Sequence, residues 1–195
     1  MPASLYLVRH GETAWSRDGR HTSTTDLPLT DVGEAQAGAL AEVLAGVGFD
    51  LVLTSPRLRA RRTAALAGFA APEVDDDLAE WDYGDYEGLT TPQIRETVPG
   101  WTVWTHGCPG GESPEQAGAR LDRVVTKVRA SGDRALVFGH GHALRVLAAR
   151  WLDLPPVDGR VLDLHTATWS VLGDDRGQPV VESWNVPTSR PAGSY

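Results

Sequence analysis

A chain of 195 residues with 41% hydrophobic and 23% charged residues can bury a core of its own and is too apolar for wholesale disorder. Its formal charge of −8 argues against non-specific binding of DNA, RNA or anionic membranes, so an anionic ligand needs a local cationic pocket. The single cysteine, Cys108, excludes an internal disulfide and fits a reducing cytoplasm, and no apolar run could span a bilayer.

Ser4 to Val8 is rich in apolar, β-favouring residues and Gly11 stops it, so a buried strand is expected to run into Arg9 and His10. The charged strand end at Arg9 leaves no room for the apolar stretch of a signal peptide, and none is expected. In open α/β sheets ligands sit beyond the carboxyl ends of strands, where Arg9 and His10 would stand. Residues 14–26 read as polar and irregular, carrying Arg17, Arg20 and His21. Thr30 or Asp31 should cap a helix with Leu40, Val43, Leu44 and Val47 at helical spacing, ended by Gly48. Residues 50–54 read as a short central strand. Ser55-Pro56 reads as a cap and a first-turn proline, opening a helix with Leu58, Ala65, Leu66 and Phe69 on its apolar face.

Arg57, Arg59, Arg61 and Arg62 crowd the start of that helix, where the dipole disfavours cations. Most of them fit a solvated face, and an anion bound nearby would account for Arg59. Residues 72–87 are acidic and aromatic, a strand end and long ordered loop whose spacing does not fit a calcium site. Trp101, Trp104, His106 and Cys108 lie in a Gly/Pro-rich loop without a period. Ser113-Pro-Glu-Gln116 supplies a capping box for an amphipathic helix through Ala117, Leu121, Val124, Val125 and Val128. Residues 134–139 form a near-continuous apolar strand that delivers His140-Gly141-His142, repeating the order strand, histidine, glycine. A helix with Leu144, Leu147, Ala148 and Trp151 inward follows, and residues 161–186 alternate like a hairpin turning at 174–177.

Strands alternating with helices predict an α/β fold, a three-layer α/β/α sandwich with a mostly parallel central sheet. One domain is expected over residues 1–187, with a mobile tail over 188–195. The strand ends after Val8, Thr54 and Gly139 can open on one edge, gathering Arg9, His10, Arg59 and His140, with the acidic loop adding a carboxylate. Two histidines, two arginines and a carboxylic acid suit phosphoryl transfer by in-line attack of a histidine. A zinc or iron site on His10, His140 and His142 is opposed by the two arginines, and Cys108 lacks an activating context.

The chain resembles the histidine phosphatase superfamily, also called phosphoglycerate-mutase-like. Arg9-His10-Gly11-Glu12-Thr13, Ser55-Pro56-x-x-Arg59-Ala60-x-x-Thr63-Ala64 and His140-Gly141 match its three signatures in order, with Leu78-x-Glu80 between. The resemblance implies His10 as nucleophile, Glu80 as proton donor, and a phosphate pocket of Arg9, Arg59, His140 and Gly141, with no metal or organic cofactor. Residues 80–88, 104–108 and 140–145 look like those of actinobacterial acid phosphatases and fungal sedoheptulose bisphosphatases. Ser16 stands where glycolytic mutases usually have a phosphate-touching asparagine, and residues 21–24 depart from their Phe-x-Gly-Trp. The shorter segment between Glu80 and His140 leaves a thinner cap, which favours hydrolysis over mutase chemistry. Arg20, His21, Thr22, Ser23, His106 and His142 are the candidates for holding the rest of the substrate. The expectation is therefore a cytoplasmic phosphatase of small phosphomonoesters, sugar phosphates or bisphosphates foremost, with a phosphoglycerate mutase or a non-enzymatic phospho-ligand module as alternatives. Its partner would be a small phosphorylated molecule, with neither nucleic acid nor membrane, and a homodimer is allowed.

Overall fold

The computed structural model describes residues 4–188. All of the predicted tail except Thr188 lies outside the described residues. Six strands form one sheet in the order β3-β2-β4-β1-β5-β6: β1 Ser4–Arg9, β2 Leu51–Thr54, β3 Glu73–Val74, β4 Arg134–Gly139, β5 Trp169–Asp175 and β6 Gln178–Val186. The first four run parallel, and the β5–β6 hairpin joins antiparallel at β1. Register pairs Arg9 with Gly139 and Thr54 with Phe138, so the predicted strand ends do open side by side.

Alternation along the central strands assigns the two faces. Leu5, Leu7, Ala135 and Val137 point into one cluster with helices α6 (Pro114–Ala130) and α7 (Gly141–Trp151). Val8, Leu136 and Phe138 point into a second, with α2 (Asp31–Leu44) and α3 (Leu58–Leu66). Each fully buried leucine contributes roughly 1.5–3 kcal/mol, so both helical layers are held mainly by this burial. Among the described residues, no helix is long and apolar enough to cross a membrane.

Local expectations are corrected in several places. The polar stretch after β1 contains a short helix, α1 (Ala14–Arg17), capped by Thr13 and Ser16. Helix α2 is capped by Thr30 and stops at Leu44, before Gly48. Helix α3 starts at Leu58 with Arg57 as N-cap and no side-chain cap, so Ser55 is not the helix cap. Its buried face is Arg59, Ala60, Thr63 and Ala64, while Leu58 is 44% exposed. Small residues let the helix approach the sheet closely enough to bring the Arg59 guanidinium inside. The supposed loop before α6 holds two further helices, α4 (Thr91–Thr97), with a Thr90/Gln93 capping box, and α5 (Val103–His106). The hairpin begins only at Trp169, with Arg176 and Gly177 at positive φ in its turn.

Candidate active site

A cavity of about 230 Å³ opens at the carboxyl ends of β1 and β4. His10 is 5% exposed on its wall, and its Nδ1 lies 2.7 Å from the Gly11 carbonyl. A carbonyl can only accept, so Nδ1 carries the proton and Nε2 keeps a lone pair. Burial first, then the fields of Arg59 and Arg9, hold the His10 pKa well below its usual value, leaving the ring neutral. The turn that carries the ring is fixed from two sides. Gly11 N–H donates to Thr63 Oγ1 at 3.0 Å, and a Cβ on Gly11 would lie 2.3 Å from the Gly33 carbonyl oxygen.

Arg9 lines the same wall, with one Nη donating to the Leu164 carbonyl and a buried Nε that has no partner among the described residues. A Cβ on Gly141 would sit 3.2 Å from the Arg9 guanidinium carbon, so glycine leaves the room that this side chain occupies. A guanidinium on the wall of a cavity suits an anionic guest.

Glu80 is 6% exposed and crosses to the start of α7. Its Oε1 accepts from Trp81 N–H and Ala143 N–H at 2.8 Å each, and its Oε2 from His142 N–H at 3.1 Å. It thereby serves amides of the first turn of a helix whose own N-cap, His140, supplies no side-chain bond. Oε2, with one donor against two, is the oxygen with capacity left for a proton or a substrate.

Behind His10 sit His140 and Arg59, both fully buried. The two imidazole centroids are 5.2 Å apart. Arg59 Nε donates to His140 Nδ1 at 3.2 Å, which puts the His140 proton on Nε2, 2.6 Å from Ser55 Oγ. Arg59 Nη1 and Nη2 donate to the carbonyls of Thr25, Thr22 and Ser23. The far wall is built by His21, Tyr83, His142 and Arg145. Arg145 lies 4.7 Å over the Trp104 ring and donates to the Gly159 and Arg160 carbonyls.

The chain matches the histidine phosphatase superfamily (branch 1) over residues 5–187. It belongs to that superfamily. It is 48% identical to an acid phosphatase of Mycobacterium tuberculosis, over 89% of this chain and 87% of that protein. It is 40% identical to a sedoheptulose 1,7-bisphosphatase of Saccharomyces cerevisiae, over 76% of this chain and 67% of the other. A solved structure of a Mycobacterium tuberculosis open reading frame superposes with a TM-score of 0.91 at 44% identity, covering 96% of this chain and 99% of that one.

Against the residues expected from the superfamily, Arg9, His10, Ser16, Arg20, His21, Thr22, Glu80, Gly141 and His142 do line the cavity. Arg59 and His140 stand one layer behind it; Arg59 Nε and Nη2 are fully committed to protein acceptors, while one of the two Nη1 N–H groups meets none among the described residues. Ser16 Oγ is engaged in its own capping box with Thr13. Ser23 is corrected to a structural role, its N–H bonded to the Glu87 carboxylate and its Oγ to the Glu80 carbonyl. His106 is corrected outright: it is exposed on α5, hydrogen-bonded to Thr102 and Thr105, beside a different groove. Sequence reasoning missed Tyr83 and Arg145 as cavity residues. Arg145 stood one turn after His142 on a predicted helix, so its shared face was the available signal.

Proposed function

We propose that this chain hydrolyses small phosphomonoesters through a phosphohistidine on His10. The observation that carries the reading is the Nδ1–H bond to Gly11, which reserves Nε2 as a neutral nucleophile on a cavity wall that His10 shares with Arg9. Nε2 attacks phosphorus in line, the ester oxygen leaves, and Glu80 Oε2 supplies its proton. Water then attacks the phosphohistidine, returning a proton to Glu80 and releasing inorganic phosphate. Arg9 neutralises the non-bridging oxygens directly, while Arg59 and His140 support the site through their charge and packing.

The phosphatase names of the two relatives support hydrolysis, and the bisphosphatase among them supports sugar phosphates or bisphosphates as the substrate class. A cytoplasmic setting fits one buried, unpaired thiol. The test is a phosphate-release screen over sugar mono- and bisphosphates and phosphoglycerates. Fastest release from a sugar phosphate supports the reading. Isomerisation of 3-phosphoglycerate with a bisphosphoglycerate primer, faster than any phosphate release, would replace it with a mutase.

A further inference from the structure

The reaction just described leaves one polar pair of the cavity unused. Tyr83 is 2% exposed, and its hydroxyl lies 2.6 Å from His142 Nδ1. Among the described residues no other acceptor meets that hydroxyl. Were Nδ1 the donor, the phenolic proton would be buried with nothing to accept it, at a cost of roughly 1–3 kcal/mol. The phenol therefore donates, and the ring's own proton sits on Nε2. His142 is half-buried on the cavity wall, so its Nε2–H, which meets no protein acceptor among the described residues, is open to water or to a substrate oxygen and carries no such penalty.

The orientation of the ring is fixed as well as its tautomer. Trp104 lies edge-on at 5.2 Å between centroids, Trp81 at 6.4 Å, and His21 tilts against it at 6.2 Å. Burial, with Arg145, His21 and Arg9 nearby, keeps the imidazole neutral, so it has a single N–H to place. A neutral donor set among aromatic faces recognises hydroxyl and ring oxygens better than it recognises charge.

We propose that Tyr83 is a positioning residue that locks His142 in the Nε2–H tautomer, and that this N–H holds a hydroxyl of the polyol part of the substrate. The proposal rests on the phosphatase reading for its substrate, while the tautomer itself does not.

The test pairs kinetics with spectroscopy. Long-range ¹⁵N–¹H NMR of the whole chain should show His142 protonated at Nε2, and the Tyr83→Phe variant should show a mixture of tautomers. The same variant should lose about tenfold in kcat/KM for fructose 1,6-bisphosphate relative to 4-nitrophenyl phosphate, mainly through KM, as removal of one hydrogen bond implies. His142→Gln, which keeps an N–H donor, should retain more of that ratio than His142→Ala. An Nδ1–H signal in the unmodified protein overturns the lock, as does a Tyr83→Phe variant with unchanged tautomer and unchanged ratio. Equal loss on both substrates overturns it too, by moving Tyr83 into the phosphoryl-transfer step. If the unmodified protein released no phosphate from either ester, the phosphatase reading would fall, and the NMR signal alone would judge the lock.

Discussion

Because the Gly11 carbonyl dictates which nitrogen of His10 is protonated, the nucleophile proposed there would be defined by backbone geometry and not by a titration near neutrality. His10→Ala should lower turnover by about 10³-fold or more, and abolish acid-labile phosphate labelling, with the circular dichroism spectrum retained. The His10 pKa is held well below its usual range, so lowering the pH from 7 to 6 should not reveal a histidine ionisation near 6.5 in kcat/KM. A drop centred there, beyond the one that the phosphomonoester's own second ionisation at about 6 produces, would mean that another imidazole controls the reaction. Glu80→Gln should slow esters with poor leaving groups about 10²-fold or more, yet slow 4-nitrophenyl phosphate far less, because nitrophenolate needs no proton. Equal slowing would move the acid role elsewhere.

Between residues and fold lies the segment 21–25, whose first two residues line the cavity and which is gripped from both sides. Arg59 takes the carbonyls of Thr22, Ser23 and Thr25, while the Glu87 carboxylate takes the N–H groups of Ser23 and Thr25. Glu87 touches neither His10 nor the cavity, so its removal isolates the grip. Glu87→Ala should cost about 2 kcal/mol by leaving two amides unpaired, seen as a fall of about 4–8 °C in Tm. It should also raise KM more than it lowers kcat. This grip was not legible in the sequence. Arg59 stood apart from Arg61 and Arg62 there as an anion ligand, but its bonds to backbone carbonyls more than 30 residues away leave no local mark. Ser55 before a proline carries the pattern of a helix cap, and the same hydroxyl serves equally well as a partner for His140. The capping box at Ser113 was legible because both of its halves lie within four residues.

For the molecule as a whole, the parallel order of strands and the His-Gly pairs at their ends were readable because period-2 burial and strand polarity act over a few residues. The antiparallel placement of β5 against β1 was not, since pairing 160 residues apart leaves no local mark. The site also sets a cost on acid. His10, His140 and His142 are held well below their ordinary pKa, and burial lowers His21 to about 4. The unfolded chain takes up protons on these rings below about 6.5, whereas the native protein does not. Stability should therefore decline as pH falls from 7 to 5, by up to about 1.4 kcal/mol per pH unit for each such ring. Urea titrations at the two values check this, and equal or greater stability at pH 5 would contradict it.

The seam between Gly11 and Gly33 has a further consequence. A Cβ on Gly33 would lie 2.1 Å from the Glu12 carbonyl oxygen, so the two turns meet backbone to backbone and neither glycine position admits a side chain. The tight bend that presents His10 thus leans on the opening turn of α2, one of the ends where helices fray first. Warming should silence the enzyme reversibly several degrees before the sheet melts, with amide exchange at residues 31–34 rising in step with the loss.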